Sequence, residues 1–188
     1  MMWRSTIPVL LLAAATSCGA GNDAANQAQG GRQVENTTIA RLGLTSTAFK
    51  EGQPIPVQYS CDGADQSPPL VWGEPPQGTK SFALIVDDPD APSGLFRHWG
   101  AYDIPPATRV LAAGQAIGKQ ATNGFGKPGY GGPCPPRGHG PHHYHFKLYA
   151  LDVGTLDVPA NSKIEDVEAA AQRHAIGRGE LIGTYERK

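Results

Sequence analysis

The hydrophobic and polar positions of the chain form short runs, which predict a protein built mainly of β-strands. Residues 81–86 are a continuous apolar run that ends at a group of aspartates, as is typical of a strand buried on both faces. Shorter runs predict further strands at residues 42–46, 55–61, 99–104 and 181–185. The 24 glycines and 17 prolines break the chain into such runs and favour a sheet protein with many turns.

The clearest alternation of apolar and polar positions lies at residues 144–150. One face of this predicted strand carries large or apolar side chains at every second position, namely Tyr144, Phe146, Leu148 and Ala150. Extending the same period back by two residues adds His142 to that face. His143 and His145 then point to the opposite face, so the pattern separates the histidines by role.

One helix is predicted, at residues 163–176. Ser162 and Glu165 have the spacing of a capping box, in which two side chains satisfy backbone N–H groups at a helix start. An apolar stripe at helical spacing follows, and Gly177 is the predicted stop.

Residues 114–141 form a long segment that is rich in glycine and proline and has almost no periodic apolar positions. A loop of this length in a compact domain is usually functional or disordered. Pro133, Pro135 and Pro136 favour a stiff wall, because proline fixes its own backbone torsion and restricts the residue before it.

The N-terminus predicts export. Residues 1–17 have one positive charge, a short apolar run and small residues at the end, as in a signal peptide of the lipoprotein type. Cys18 resembles a lipobox cysteine, which would be lipidated and would form the only link to a membrane; plain secretion with Cys18 unmodified is the alternative. Residues 18–38 read as a flexible tether and residues 39–188 as the folded domain. The expected location is the bacterial periplasm.

Export bears on the two other cysteines, Cys61 and Cys134. Disulfides persist outside the cytoplasm, so a bond between them is favoured over two separate buried thiols. The net charge of -1 and the scattered basic residues give no electrostatic footprint for nucleic acid or for an acidic membrane surface.

Acidic and imidazole side chains are concentrated near predicted strand ends. Asp88 and Asp90 share one side if their segment is extended, as the adjacent prolines favour, and an ordinary Asx turn explains the same residues. His98 precedes another predicted strand. A carboxylate beside an imidazole fixes the tautomer of the ring and raises its basicity.

Three kinds of chemistry are candidates for this part of the chain. A metal site could use Asp88, Asp90, His98 and His142, but no HExxH or paired CxxC spacing supports it. Hydrolysis by a serine lacks its G-x-S-x-G motif. Anion binding fits best, because imidazoles, a tyrosine hydroxyl and backbone N–H groups of a glycine-rich loop all donate hydrogen bonds.

Five motifs then occur in a fixed order: SPPLVW at residues 67–72, DPDAP at 88–92, HW at 98–99, GPCPP at 132–136 and GHGPHHY at 138–144. Together they resemble the phosphatidylethanolamine-binding protein family, most closely its bacterial branch, described as Raf kinase inhibitor-like proteins. The resemblance covers residues 42–187.

The resemblance implies a mainly β fold of two antiparallel sheets, with a pocket for phosphate-type anions or phosphoryl head groups and with no enzymatic activity, cofactor or metal. The implied ligand-binding residues are Asp88, Asp90, Pro92, His98, Gly132, His142 and Tyr144. An inhibitor or adaptor that contacts an envelope protein through the pocket mouth is the main alternative, followed by a metal-dependent hydrolase.

Two departures from the animal members of the family affect the pocket. His143 and Cys134 stand where those proteins commonly have arginine and glycine, which alters the rim. The sequence also ends soon after residues 181–185, without the C-terminal helix that borders the pocket in animal members. We therefore expect a more open pocket, or one that is closed by a partner chain, as in a homodimer.

Overall fold

The structure is a computed structural model that describes residues 39–188. The predicted signal peptide, the tether and Cys18 lie outside these residues. The described chain contains a 3-10 helix at Val57–Tyr59 and the following elements in order: β1 (Ala40–Arg41), β2 (Leu44–Thr45), β3 (Gln53–Pro54), β4 (Leu70–Trp72), β5 (Ser81–Asp88), β6 (Phe96–Ile104), β7 (Val110–Leu111), β8 (Lys119–Gln120), β9 (His142–Leu151), α1 (Ile164–His174) and β10 (Ala175–Tyr185).

These strands form two sheets, as predicted. The large sheet has the order β1-β10-β9-β5-β6-β8, and the small sheet has the order β2-β4-β7. Neighbours in the centre of the large sheet run antiparallel. The short strands β1 and β3 both pair with β10 in parallel, which adds a parallel margin to the sheet.

The centre of the large sheet is buried on both faces. Phe82 and Leu84 of β5 point toward the small sheet and pack in one core with Trp72 of β4. Ala83 and Ile85 point the other way, into a second core beneath α1. Because β5 is covered on both sides, its sequence is a continuous apolar run, and the prediction of a doubly buried strand is confirmed.

The same alternation divides the charged residues at the strand ends. Asp87 lies on the helix side of the sheet, where its carboxylate binds Lys147 Nζ at 2.7 Å and Arg97 Nη1 at 3.2 Å. Glu168 of α1 binds the same two cations and accepts a hydrogen bond from the hydroxyl of Tyr149. This balanced ion cluster, which the sequence analysis missed, fixes α1 against the sheet.

The strand predicted at residues 55–61 is wrong. Part of this segment is the 3-10 helix, in which the N–H of Tyr59 binds the carbonyl of Pro56 at 3.0 Å and that of Ser60 binds the carbonyl of Val57 at 3.0 Å. Pro56 cannot donate to a sheet ladder, so the backbone satisfies itself locally. The resulting turn brings Cys61 to the Gly/Pro-rich segment.

The helix is present, but its predicted cap and stop are wrong. The hydroxyl of Ser162 binds the carbonyl of Pro159 at 2.7 Å, and the residue at the helix N-cap, Lys163, makes no side-chain capping bond. The helix ends at His174, and Gly177 belongs to β10. A Cβ atom at Gly177 would lie 3.0 Å from Pro76 and 3.3 Å from Ala150, so this glycine permits close packing.

Within residues 39–188, no helix is both long and apolar enough to cross a membrane.

Gly183 of β10 tests how tightly the sheet packs. A Cβ atom there would lie 2.6 Å from Ile55 Cγ1 and 2.7 Å from a ring carbon of Phe49. We expect Gly183→Ala to lower the free energy of unfolding in urea by about 1–3 kcal/mol, because the core has no space for the added methyl group. Gly43→Ala is the control, since its Cβ would meet nothing within 4 Å; equal losses in the two variants would contradict the packing argument.

Candidate functional site

A small cavity opens where β5, β6 and β9 meet the Gly/Pro-rich segment. It encloses about 190 Å³. Its polar base consists of Asp88, His98 and His142. The remaining lining is mostly apolar and consists of Ala91, Pro92, Ser93, Phe96, Phe125, Cys134, Pro135 and Pro136. Four of the seven predicted ligand-binding residues, namely these three polar residues and Pro92, therefore line one cavity.

Asp88 and His142 form the centre of the polar base. Both side chains are buried, and His142 Nδ1 lies 2.7 Å from Asp88 Oδ2. A carboxylate accepts, so His142 carries a proton on Nδ1. The other carboxylate oxygen of Asp88 accepts the N–H of Asp90 at 2.8 Å. Asp88 therefore closes an Asx turn and orients a histidine at the same time.

His98 is fixed by a second, independent contact. Its Nδ1 donates to the carbonyl of Gly131 at 2.8 Å, and the N–H of Gly131 donates back to the carbonyl of His98 at 3.0 Å. Nε2 is the nitrogen that remains for a ligand. Burial lowers the pKa of His98, so the ring is neutral at neutral pH.

Tyr144 stands behind this base on the same face of β9 as His142. Its ring packs edge-on against His98, with the ring centroids 5.1 Å apart. Its hydroxyl is buried and has no hydrogen-bond partner among the described residues. Burial and the neighbouring Asp88 carboxylate raise the pKa of Tyr144, so the hydroxyl keeps its proton and can donate it. A buried unpaired donor costs about 1–3 kcal/mol.

Asp90 lies outside the cavity, and the prediction that it shares a side with Asp88 is wrong. The chain turns after β5, and the half-exposed carboxylate of Asp90 accepts both the N–H and the ring Nδ1–H of His143, at 2.8 and 2.7 Å. These hydrogen bonds lower the pKa of Asp90. Asp90 thus fastens the turn to the outer face of β9.

Gly132 also lies outside the cavity. Its N–H donates to Asp65 Oδ1 at 2.6 Å, so this backbone group is not free for a ligand. A Cβ atom at Gly132 would lie 2.5 Å from the carbonyl oxygen of Tyr59, which explains why glycine is needed there.

The segment beside Gly132 is a fixed wall. Cys134 forms a disulfide with Cys61, with the two Cα atoms 5.4 Å apart. The N–H of Cys61 also binds the carbonyl of Pro133 at 3.1 Å, and the hydroxyl of Tyr130 binds the carbonyl of Tyr59 at 2.8 Å. Because these contacts join the wall to the 3-10 helix region, the wall holds its position against the cavity.

The alternation predicted for β9 is correct in outline. His142 and Tyr144 are buried on one face, whereas His143 and His145 are on the other and bind Asp90 and Glu180.

The sequence analysis missed two residues that line the cavity and one, His139, that contacts the lining residue His142. Phe96 and Phe125 form an aromatic side, with ring centroids 4.9 Å apart. His139 places its Nδ1 2.9 Å from Nε2 of His142. Phe125 lies in the glycine-rich segment and His139 lies within the GHGPHHY motif, but no alternation or spacing singled out either residue.

Among residues 39–188, no group of three or more histidine, cysteine or acidic side chains is arranged to hold a metal ion. The described part of the chain thus offers no observation that favours the metal-dependent alternative.

Two sheets packed over a common core, with a histidine–carboxylate cavity at the ends of three strands of the large sheet, define a mainly β fold. The family model named "Phosphatidylethanolamine-binding protein" matches residues 45–186. The chain belongs to this family.

Sequence identity to related proteins agrees with this family assignment. A UPF0098 protein of Aquifex aeolicus is 49% identical over 154 residues, which cover 79% of this chain and 90% of the relative. LppC of Mycobacterium tuberculosis, which is named as a lipoprotein, is 40% identical over 192 residues, which cover 97% of this chain and 94% of the relative.

Two solved structures have the same fold. CT736 of Chlamydia trachomatis, described as a homologue of phosphatidylethanolamine-binding protein, superposes with a TM-score of 0.73 at 42% identity and matches 80% of this chain and 100% of its own. YbcL of E. coli, described as a new member of the mammalian family, superposes with a TM-score of 0.74 at 35% identity and matches 79% and 100%.

Proposed function

We propose that this protein is an exported, non-enzymatic binding protein whose cavity holds a small phosphate-type anion or phosphoryl head group. One observation carries the proposal: two buried histidines have their Nδ1 atoms committed to fixed acceptors, and a buried tyrosine hydroxyl beside them has no partner among the described residues. The Tyr144 hydroxyl is a preorganised donor for an anion oxygen, and each histidine Nε2 becomes a donor only when its ring carries a second proton.

The shape of the cavity supports a small ligand with one charged end. The three residues of the polar base are buried, and proline and phenylalanine side chains form much of the remaining lining. A phosphoryl group at the base leaves the rest of the ligand against this apolar rim, where aromatic and proline side chains contact carbon atoms.

Calorimetric titration with inorganic phosphate and phosphorylethanolamine tests the binding function. We expect both to bind to the wild-type protein and His142→Ala to lose at least ten-fold in affinity, because a hydrogen bond to a charged group is worth roughly that much. Tyr144→Phe separates binding from folding. It removes a hydroxyl that has no partner within the described structure, so thermal stability is kept while phosphate affinity falls.

His145→Ala is the matched control for that titration, since His145 lies on the opposite face of β9 and binds Glu180. Absence of heat with wild-type protein, or equal affinity in the wild type and Tyr144→Phe, would rule out the proposed site.

A second candidate function is that of an inhibitor or adaptor of an envelope protein, and the rim of the cavity supports it. Phe125 lines the cavity and is 47% exposed, and nearby Leu95 is 50% exposed. Exposed apolar side chains beside a pocket are typical of contact surfaces. A homodimer that closes the cavity would use the same surface.

Capture from envelope extracts discriminates this candidate. We expect Leu95→Ser to reduce the retained partner several-fold and to leave phosphate binding in place, because Leu95 is exposed beside the cavity but does not line it. Exposed Val110 lies on β7 of the small sheet, outside the cavity lining, so Val110→Ser is the control. A partner that is retained equally by both variants contradicts use of the rim.

We also propose that the mature chain is anchored in the cell envelope by a lipid on Cys18. The lipoprotein-type N-terminus of the sequence supports this. The relative LppC, which is named as a lipoprotein, adds support, since its alignment covers 97% of this chain and so extends well beyond the folded domain.

Metabolic labelling with a radioactive fatty acid tests the anchor. We expect label in the wild-type protein and none in Cys18→Ala, which should also move from the membrane fraction to the soluble fraction because the acyl chains hold the protein at the bilayer. Cys61 and Cys134 remain in that variant as internal controls. An unlabelled wild-type protein would instead indicate plain secretion.

A further inference from the structure

The nitrogen of His142 that the proposed function needs is already occupied by His139. His142 Nδ1 lies 2.7 Å from the Asp88 carboxylate, and His142 Nε2 lies 2.9 Å from His139 Nδ1. The three side chains form one continuous chain of hydrogen bonds, from the buried carboxylate to the exposed ring of His139.

The number of protons on these three side chains decides whether His142 can offer an N–H group to a ligand. A contact of 2.9 Å between two ring nitrogens holds one proton between them. If His142 is neutral, its Nε2 accepts that proton from His139; if His142 is charged, its Nε2–H donates to His139. In both arrangements His142 has no free N–H group for a ligand while the contact lasts.

His139 is the partner that can leave. His142 is a buried residue of β9, whereas His139 is exposed in a turn between Gly138 and Gly140, which have φ values of +73° and +86°. The backbone of this turn is fixed by hydrogen bonds from Gly138 to Arg187 and from His139 to Pro136. The ring of His139 can therefore rotate away about its own side-chain torsions while the turn stays in place.

We propose that His139 is a proton-linked cap on the anion site, and that a phosphate-type ligand binds to charged His142 by displacing the His139 ring and accepting the Nε2–H that His142 had donated to it. This inference rests on the proposed function. It makes His139 an affinity-determining residue, because each ligand must compete with an imidazole that is already hydrogen-bonded there.

Protonation weakens the cap. When both rings carry two protons, an N–H group faces an N–H group and two positive charges meet, so the contact opens. His142 then presents a donor to the cavity while Asp88 balances its charge. Lower pH therefore favours ligand binding.

Several other ionisable groups surround the cap, and their effects differ. Asp90 and His143 bind each other on the outer side of β9, and His98 shares the cavity. Burial lowers the pKa of His98, so this ring gains its proton at a lower pH and adds a further donor. The groups near the turn largely satisfy one another, since Asp62 binds Arg137 and Arg187, and Arg137 also binds the carbonyl oxygen of Lys188.

Titration of inorganic phosphate into wild-type protein and His139→Ala, between about pH 5.5 and pH 8, tests the cap. At neutral pH we expect His139→Ala to bind phosphate about five-fold more tightly, the affinity equivalent of one net hydrogen bond. The affinity of the variant should also rise less steeply as the pH falls, because the cap no longer has to open. Phosphorylethanolamine in a parallel series distinguishes a head group from the free anion.

His174→Ala is the control, since His174 is an exposed histidine that binds Asp152 at the end of α1. It should match the wild type at every pH. Weaker binding by His139→Ala would make His139 a direct ligand contact, and unchanged binding would show that the rings do not compete; each result overturns the cap.

The same series distinguishes failure of the cap from failure of the proposed function. Wild-type protein that binds phosphate without the expected gain in His139→Ala overturns the cap alone. Absence of binding in both proteins at every pH overturns both proposals. Binding by His139→Ala only is the strongest form of support, and a change in the ¹⁵N resonance of His142 Nε2 between the two ligand-free proteins confirms that the nitrogen has lost a partner.

Discussion

The alternation of side chains between the two faces of the central strands of the large sheet is the constraint on which the rest of the molecule depends. Adjacent residues at the ends of these strands serve different structures because successive side chains point to opposite faces. Asp87 and Arg97 enter the ion cluster beneath α1, whereas Asp88 and His98 enter the cavity. The helix therefore stabilises the same strand ends that carry the site, without contributing a side chain to it.

This constraint also explains which features could be predicted from the sequence. The doubly buried β5 and the face shared by His142 and Tyr144 follow from local patterns, since burial repeats with the period of a strand. The two sheets and the general position of the pocket followed from the resemblance of five motifs to a known family, whose model matches residues 45–186.

Features set by competing local hydrogen bonds could not be predicted in the same way. Ser162 has the spacing of a helix cap but binds the carbonyl of Pro159, and the N–H of Asp90 turns back to Asp88. The contact between Gly132 and Asp65 joins residues far apart in the chain. The cap at His139 depends on one ring rotamer, for which a sequence pattern contains no information.

The wall beside the cavity contains a disulfide, which suits the oxidising compartment in which the chain is expected to fold. Cys61 and Cys134 are 73 residues apart in sequence, and closing a loop of that size restricts the unfolded chain by roughly 4 kcal/mol in the entropic description of disulfides. The bond lies between the 3-10 helix region and the proline-rich wall. This covalent link therefore holds one side of the cavity in place before any ligand binds.

The charge of the cavity limits how an anion can be held. Its lining, within the described residues, contains the Asp88 carboxylate but no lysine or arginine. Positive charge can come only from protons on His98 and His142, and the remaining attraction must come from neutral donors such as the Tyr144 hydroxyl. Burial disfavours the charged form of His98, so a bound anion and a bound proton stabilise each other. Affinity and pH are then coupled by the composition of the cavity itself.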